Sequence, residues 1–328
     1  MADDRNSWDA TRRRSASTRG ERGASVALNR RELLGVFAAG AAAAACGPTA
    51  SKSLRFSGSN TVFTYAKELA NKYRARHADV SIRMTGDGTS RGIKFAGEGE
   101  VQGLPMDFTN RNKFMAPMPA GVIPDSSNGE KVDIGLSSRA LFQSEREAYS
   151  AMEAFPFAYD GIAVVTNASV TVPNLTLEQL RFIYAGMITN WMQVGGPNAP
   201  IVVIARDALA GTAEAWSELV MNGLPVMATT SIAQAEDVPA AVTSMANSIA
   251  YLSLPQINAM TMHPVAIDGV APTVELVASG RYPIKRPFIF VTGSRPTALQ
   301  QEFIDFAYTA EAQMALSALD VVPATRGS

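Results

Sequence analysis

Gly86-Asp-Gly-Thr-Ser-Arg-Gly-Ile-Lys94 follows an alternating stretch, Val80-Ser-Ile-Arg-Met-Thr85, that predicts a β-strand. A glycine-rich turn between a strand and a helix directs backbone N–H groups at one point, which also faces the positive end of the helix dipole. Thr89 and Ser90 add hydroxyl donors, and Arg91 adds a fixed positive charge. The stretch therefore predicts part of a binding site for a small oxyanion. Because such turns are common, the prediction depends on whether other stretches repeat the pattern.

Three further strand-to-helix junctions repeat it. They follow the predicted strands 54–57, 132–136 and 200–205. Their candidate ligand residues are Asn60, Thr61 and Val62; Ser137, Ser138 and Arg139; and Arg206, Ala210, Gly211 and Thr212. Asn60 or Thr61 could equally be a helix N-cap, which is a purely structural role. In open α/β sheets ligands lie beyond the carboxyl ends of the strands, so we expect the four junctions to converge on one anion.

The rest of the chain continues the alternation of strands and helices. Further strands are predicted at 159–167, 248–253, 264–267 and 287–292, and helices at 298–319. Thr176 and Gln179 have the spacing of a capping box and predict a helix start. The pattern predicts α/β lobes. The stretch 98–131 is rich in Gly, Pro, Met and Asn without a clear period, and its role stays open.

Charge excludes a broad electrostatic surface. The 328 residues carry a net charge of −1, and 47% of them are hydrophobic. Eight of the 29 basic and five of the 30 acidic residues lie in the first 45 positions, which leaves 21 basic and 25 acidic residues in the body. A mildly acidic body does not favour nucleic acid as a partner, so any anion site must be local.

The N-terminal 45 residues predict an export signal. Asn29-Arg-Arg-Glu-Leu-Leu34 precedes a short Ala- and Gly-rich apolar run, which is the pattern of a twin-arginine signal. An Ala-rich surface helix after a basic tail is the alternative. Cys46, the only cysteine, follows this run and is the candidate lipidation site, with 46–53 as a tether. We expect an exported, lipid-anchored protein on the periplasmic or cell-surface side of a membrane.

Taken together, the motifs resemble the phosphate-binding proteins of bacterial high-affinity phosphate ABC transporters. The resemblance covers roughly residues 54–325, apart from 98–131. It rests on the four junction motifs in this order and on three further stretches: Asp160-Gly-Ile-Ala-Val-Val-Thr-Asn167, Leu175-Thr-Leu-Glu-Gln-Leu-Arg-Phe-Ile-Tyr184 with Asn190-Trp191, and Tyr282-Pro-Ile-Lys-Arg-Pro-Phe288.

The resemblance implies a two-lobe periplasmic-binding-protein clamshell with two crossover strands, near 160–167 and 286–292. Lobe 1 would comprise 54–161 plus 290–328, and lobe 2 would comprise 162–289. It also implies a monomer without cofactor or metal that captures inorganic phosphate and delivers it to an ABC permease. The implied phosphate contacts are Asn60, Thr61, the N–H of Val62, Thr89, Ser90, Ser137, Ser138, Arg206, the N–H of Ala210, Gly211 and Thr212. Arg91 and Arg139 would add charge, or would pair with surface acids instead.

Two departures from the family pattern concern the choice of anion. Ala210 stands where the family usually has Ser, and Arg91 could compensate for that missing donor. Ser138 stands where some members have an Asp that accepts the proton of hydrogen phosphate, a role that Asp87, Asp160 or Asp207 could take instead. A different oxyanion is therefore an alternative ligand.

Two other classes of function compete with transport. An enzyme such as a phosphatase is not favoured, because the two histidines, His77 and His263, have no metal-ligand spacing and the serines have no nearby base. The third class is a surface lipoprotein that kept the clamshell as a sensor or adhesin.

Overall fold

The computed structural model describes residues 52–86, 88–98, 132–208 and 210–327. The predicted signal, Cys46, most of the tether, Asp87 and nearly all of 98–131 lie outside these residues. Residues 51–328 form one compact unit. In the described ranges, no helix has the length and apolar character needed to cross a bilayer.

Strands and helices alternate along the unit. The strands are β1 (Lys52–Gly58), β2 (Val80–Gly86), β3 (Ile134–Ser137), β4 (Glu153–Asn167), β5 (Asn174–Leu175), β6 (Val202–Arg206), β7 (Thr230–Ile232), β8 (Ser248–Ser253), β9 (Met262–Ile267), β10 (Lys285–Thr292) and β11 (Val322–Pro323). The helices are α1 (Asn60–Arg76), α2 (Thr89–Glu98), α3 (Gln143–Ala148), α4 (Leu177–Tyr184), α5 (Gly211–Trp216), α6 (Val238–Ser244), α7 (Val274–Ala278), α8 (Ala298–Ala307) and α9 (Ala310–Ser317). The predicted α/β class is confirmed.

The strands form a mixed sheet in the order β2-β1-β3-β10-β4-β8-β6-β7. Strand β1 pairs in parallel with β2 and β3, and β6 pairs in parallel with β7 and β8. Between these parallel groups, β4 and β10 run antiparallel to each other. The carboxyl ends of β1, β2 and β3 consequently share one edge of the sheet.

The described residues contain two large hydrophobic cores and a small third cluster around Ile93, and we use the two large cores to define two lobes. The first core includes Phe56, Phe157, Phe290 and Phe303, and we call the elements around it lobe 1. The second runs from Ile162 to Ile284 in sequence and contains both buried tryptophans, and the elements around it are lobe 2. The long strand β4 and its partner β10 pass from one core to the other. They are the two crossover strands of a two-lobe periplasmic-binding-protein fold.

Local sequence explains most helix starts. Thr176 accepts a hydrogen bond from the N–H of Gln179, and the Gln179 side chain accepts from the N–H of Thr176, as the capping-box spacing predicts. For α1 the prediction was wrong by one residue. The N-cap is Ser59, whose hydroxyl accepts from the N–H of Val62, while Asn60 begins the helix.

The third junction differs from the expected helix start. The hydroxyl of Ser137 donates to the carbonyl of Arg139 at 2.7 Å and closes a local turn, so α3 begins only at Gln143. The expectation of four strand-to-helix junctions is therefore wrong for this one, which is a strand-to-loop junction.

Glycine lets α2 pack closely on the sheet. A Cβ on Gly92 would lie 2.4 Å from the carbonyl oxygen of Ser57 in β1, closer than any side chain tolerates. The opening stretch of the sequence thus fixes the position of α2 as well as its N-terminus.

Replacement of Phe290 by Ala should destabilise lobe 1. Phe290 is fully buried and stacks on Phe157 with ring centroids 4.0 Å apart. We expect a loss of about 3–5 kcal/mol in the free energy of unfolding, because truncation leaves a cavity. Urea denaturation measures it. Met260→Ala is the control, since Met260 is 92% exposed. Equal stability of the two variants would contradict this packing.

Candidate functional site

Three junctions of lobe 1 meet the junction of lobe 2 at Gly211. A Cβ on Gly211 would lie 2.2 Å from both Ser138 Oγ and Thr89 Oγ1, and 3.2 Å from Ser59 Oγ. These three hydroxyl groups are buried. The ends of β1, β2 and β3 therefore place their hydroxyls against the N-terminus of α5, and only glycine fits at the point of approach.

The hydroxyl groups around Gly211 lie within hydrogen-bonding distance of neighbouring groups. Thr89 Oγ1 accepts from the N–H of Ser138 at 3.3 Å and lies 3.2 Å from Ser138 Oγ. Across the cleft, Thr61 Oγ1 lies 3.1 Å from Thr212 Oγ1. Small hydroxyl groups can turn their hydrogens toward a bound oxygen, so the cluster is suited to an oxyanion.

The hydroxyl of Thr212 is oriented by an arginine that the sequence motifs did not assign to the site. Arg286 Nη1 donates to Thr212 Oγ1 at 2.9 Å, which leaves the hydroxyl hydrogen of Thr212 to point elsewhere. The only sequence signal for Arg286 is its presence in the 282–288 motif, as a charge within an apolar strand.

Arg286 is paired with Asp160 where the crossover strands are in register. Its Nε and Nη2 donate to Asp160 Oδ2 at 3.0 and 2.7 Å, and both side chains are buried. Ser253 Oγ and the N–H of Leu254 also donate to this carboxylate. Burial raises the pKa of Asp160, and the hydrogen bonds from Arg286 and Ser253 oppose that rise. The pair forms the floor of the cleft.

Arg139 is compensated by two carboxylates. Its Nη1 and Nη2 donate to Glu145 at 2.8 and 3.0 Å, and its Nε donates to Glu214 of lobe 2 at 2.9 Å. The guanidinium also lies 3.6 Å from the ring centroid of Phe142. With two acidic partners, Arg139 has no charge left over for an anion.

Arg206 is the exception among the buried arginines of the site. It is 5% exposed, and its Nε and Nη2 donate to the backbone carbonyls of Ile232 and Ala233 at 3.1 and 3.0 Å. Within the described ranges no carboxylate forms an ion pair with it. Burial lowers its pKa, and the nearby charge of Arg286 adds to that effect. A buried guanidinium remains protonated, and Glu236 and Asp207 attract it without forming an ion pair with it in the described ranges, so the protein compensates its charge only in part.

The remaining predicted ligand residues differ in whether their polar groups already have partners in the protein. The N–H of Val62 already donates to Ser59, and the hydroxyl of Ser137 is used in its turn. Ser90 Oγ donates to Glu214 and accepts from Arg139 Nη2. The other three are Asn60, with a buried Oδ1 that has no hydrogen-bond partner in the described part of the chain, Arg91, which is half-buried, and Ala210, the N-cap of α5.

Two other kinds of site are relevant in the described ranges. A groove of about 250 Å³ lies elsewhere, between Leu254, Pro272, Val274 and Asp320, and has no basic side chain in its lining. No cluster of three metal-binding side chains occurs in the part of the chain that the structure describes. The converging donors at Gly211 are therefore the candidate site.

Comparisons with known proteins identify the family of the chain. A family model described as a PBP superfamily domain matches residues 43–311. The chain is 23% identical over 267 residues to the phosphate-binding protein PstS of Bacillus subtilis, covering 81% of this chain and 79% of that protein. It is 32% identical over 194 residues to the phosphate-binding protein PstS of Borreliella burgdorferi, covering 55% and 68%.

A solved structure gives the same result. It is described as a phosphate ABC transporter substrate-binding protein from Clostridium perfringens with bound phosphate. It is 29% identical, has a TM-score of 0.68, and the match covers 84% of this chain and 100% of that one.

Replacement of Gly211 by Ala should hold the lobes apart. The new Cβ would overlap the hydroxyls of Thr89 and Ser138, which are too tightly placed to withdraw. We expect a larger radius of gyration in small-angle X-ray scattering. Ser217→Ala, beyond the far end of α5, is the control and should scatter as the wild type does. Identical scattering from Gly211→Ala would contradict the close approach at this position.

Proposed function

We propose that this chain, which belongs to the PBP superfamily, captures inorganic phosphate between its two lobes and delivers it to an ABC permease. Its relatives are substrate-binding proteins of transport systems and not an enzyme family. A binding role without catalysis also fits the positions of the histidines. His77 lies at the C-terminal end of α1 and pairs with Glu302, and His263 lies in β9, so neither is among the junction residues.

The charge of Arg206, which no ion pair in the described ranges balances, carries the proposal. Arg139 has two carboxylate partners and Arg286 has one, whereas in the described part of the chain the side chain of Arg206 donates to backbone carbonyls alone. A buried charge without a counter-ion is costly. An anion in the cleft would remove that cost and gain charge-assisted hydrogen bonds. We therefore assign Arg206 as the main charge toward phosphate.

The other donors follow from the geometry at Gly211. Thr61, Thr89, Ser138 and Thr212 supply hydroxyls, and the first N–H groups of α2 and α5 have no partner within their helices. A dehydrated oxyanion needs several directed donors of this kind. Ser90, Ser137 and Arg139 are engaged with protein partners, so we propose that they support the site from behind. Arg91 stays a candidate for an additional charge near Ala210.

Phosphate is favoured over other oxyanions by the relatives, while the proton acceptor is not assigned. Asp160 already accepts from Arg286, Ser253 and Leu254, so it is a poor acceptor for hydrogen phosphate. Asp207 is exposed, and Asp87 lies outside the described residues. A hydroxyl such as that of Ser138 can accept a proton as well as donate one.

Calorimetric titration with phosphate, arsenate, sulfate and molybdate tests the function. The fragment 47–328, which contains the whole compact unit, is suitable. We expect saturable binding of phosphate and arsenate, and weaker binding of sulfate, which has no proton to donate at neutral pH. No saturable binding of any oxyanion would refute the proposal.

We also propose that the protein is exported through a twin-arginine signal, anchored by a lipid on Cys46, and monomeric. The support is the order of Arg30-Arg31, the apolar run and the single cysteine in the sequence. The anchor would hold the binding unit beside its permease at the outer face of the membrane.

Replacement of Cys46 by Ala should release the protein from the membrane. The thiol is the expected attachment point, and no other cysteine exists to replace it. Radiolabelled palmitate should mark the wild type and not the variant, and the variant should fractionate with soluble proteins. A labelled variant that stays with the membrane would contradict lipidation at Cys46.

Replacement of Arg206 by Met should weaken phosphate binding well over tenfold, because a buried charge-assisted contact is worth roughly 2–5 kcal/mol. Calorimetry measures the dissociation constant. Arg181→Met is the matched control, since Arg181 also donates its Nε to a backbone carbonyl of lobe 2, that of Val220. Unchanged affinity in Arg206→Met would contradict the assignment of the main charge.

A further inference from the structure

We infer that Glu214 is a positioning residue for phosphate capture, because its carboxylate fastens the anion-binding helix of lobe 2 to lobe 1. This inference rests on the proposed function and adds a residue that the junction motifs did not assign. Glu214 lies two positions after Thr212 in the first turn of α5. It touches lobe 1 rather than the predicted anion position.

Both oxygens of Glu214 are used across the cleft. Oε1 accepts from the hydroxyl of Ser90 in α2, and Oε2 accepts from Arg139 Nε at 2.9 Å. The hydroxyl of Ser90 also accepts from Arg139 Nη2 at 3.0 Å, so the three side chains form one closed network. The Glu214 side chain is only 14% exposed. The contact is therefore largely removed from solvent.

The partner of this carboxylate in lobe 1, Arg139, is held in place by other residues of lobe 1. Glu145 holds both terminal nitrogens of Arg139, and the ring of Phe142 covers the guanidinium. Nε is the nitrogen left to face lobe 2. An exposed ion pair loses much of its value because two long side chains must be immobilised. Here one partner is fixed in advance, so the contact with Glu214 costs less conformational entropy.

The network has a direct consequence for the bound state. Glu214 is part of the helix whose N-terminus carries Gly211 and Thr212, so its contact with lobe 1 sets where these donors lie. The contact forms only when the lobes are together, and it favours that arrangement by its own free energy. Phosphate release needs the lobes to separate and the network to break. Loss of Glu214 should therefore affect dissociation much more than association.

The test compares Glu214→Gln with Glu218→Gln in the fragment 47–328. Both variants remove one carboxylate from the same segment, but Glu218 is exposed and forms no ion pair in the described ranges. Stopped-flow measurements should show phosphate dissociation about tenfold faster in Glu214→Gln, with association changed by less than about twofold, as for most interface changes. Glu218→Gln should match the wild type. Equal dissociation rates in the wild type and Glu214→Gln would overturn the inference.

A second measurement separates this inference from the proposed function. In phosphate-free buffer, small-angle scattering should give a larger radius of gyration for Glu214→Gln than for Glu218→Gln, whatever the anion is. If the wild type binds no oxyanion and this difference is still present, the proposed function fails and the role of Glu214 in joining the lobes stands. Identical scattering of the two variants would refute that role.

Thermal melting temperatures should be nearly equal in both variants, since neither lobe core is touched. A large decrease in melting temperature confined to Glu214→Gln would indicate a merely structural residue.

Discussion

The ion pair between Asp160 and Arg286 is the interaction on which the two-lobe arrangement depends. It lies where the crossover strands β4 and β10 are in register, and both side chains are buried. Asp160 also accepts from Ser253 of lobe 2, while Arg286 donates to Thr212 at the cleft. Removal of either partner would leave an uncompensated buried charge on one of the two crossover strands that connect the lobes, which is strongly destabilising. The pair thus joins the two crossover strands next to the proposed site.

Around that floor, the buried arginines differ in how their charge is balanced. Arg139 pairs with Glu145 and Glu214, and Arg286 pairs with Asp160, whereas among the residues that the structure describes Arg206 donates to backbone carbonyls without an ion pair. This difference separates structural from ligand-directed charge more clearly than exposure does, because all three guanidinium groups are buried. It also explains how a protein with a mildly acidic body would bind an anion, as we propose. The attraction is local, in a site where water does not screen it.

The sequence predicted the alternation of strands and helices from periodicity, and the helix start at Thr176 from the capping spacing. It also predicted that Thr89, Ser138 and Gly211 converge, because each of them follows a strand and the ligands of α/β sheets lie beyond the carboxyl ends of the strands. It did not predict the partners of the arginines. Two similar motifs gave Arg91 and Arg139 the same standing, although Arg139 is held by Glu145, six residues away, and by Glu214, which is 75 residues away in sequence. The sequence did not indicate a role for Glu214, because that role depends on how α5 lies against lobe 1. The N-cap of α1 was missed because Ser59, Asn60 and Thr61 are all good caps.

The central claim is that an oxyanion binds between the hydroxyls of lobe 1 and the N-terminus of α5, beside Arg206. A crystal structure of the fragment 47–328 grown with arsenate tests it directly, since anomalous scattering locates arsenic without ambiguity. We expect one strong peak between the lobes, with arsenate oxygens at hydrogen-bonding distance, about 3 Å, from Thr89, Gly211 and the guanidinium of Arg206. An anomalous map from these crystals that shows no peak at this position would contradict the proposed site. A peak beside Arg139 instead would also contradict it.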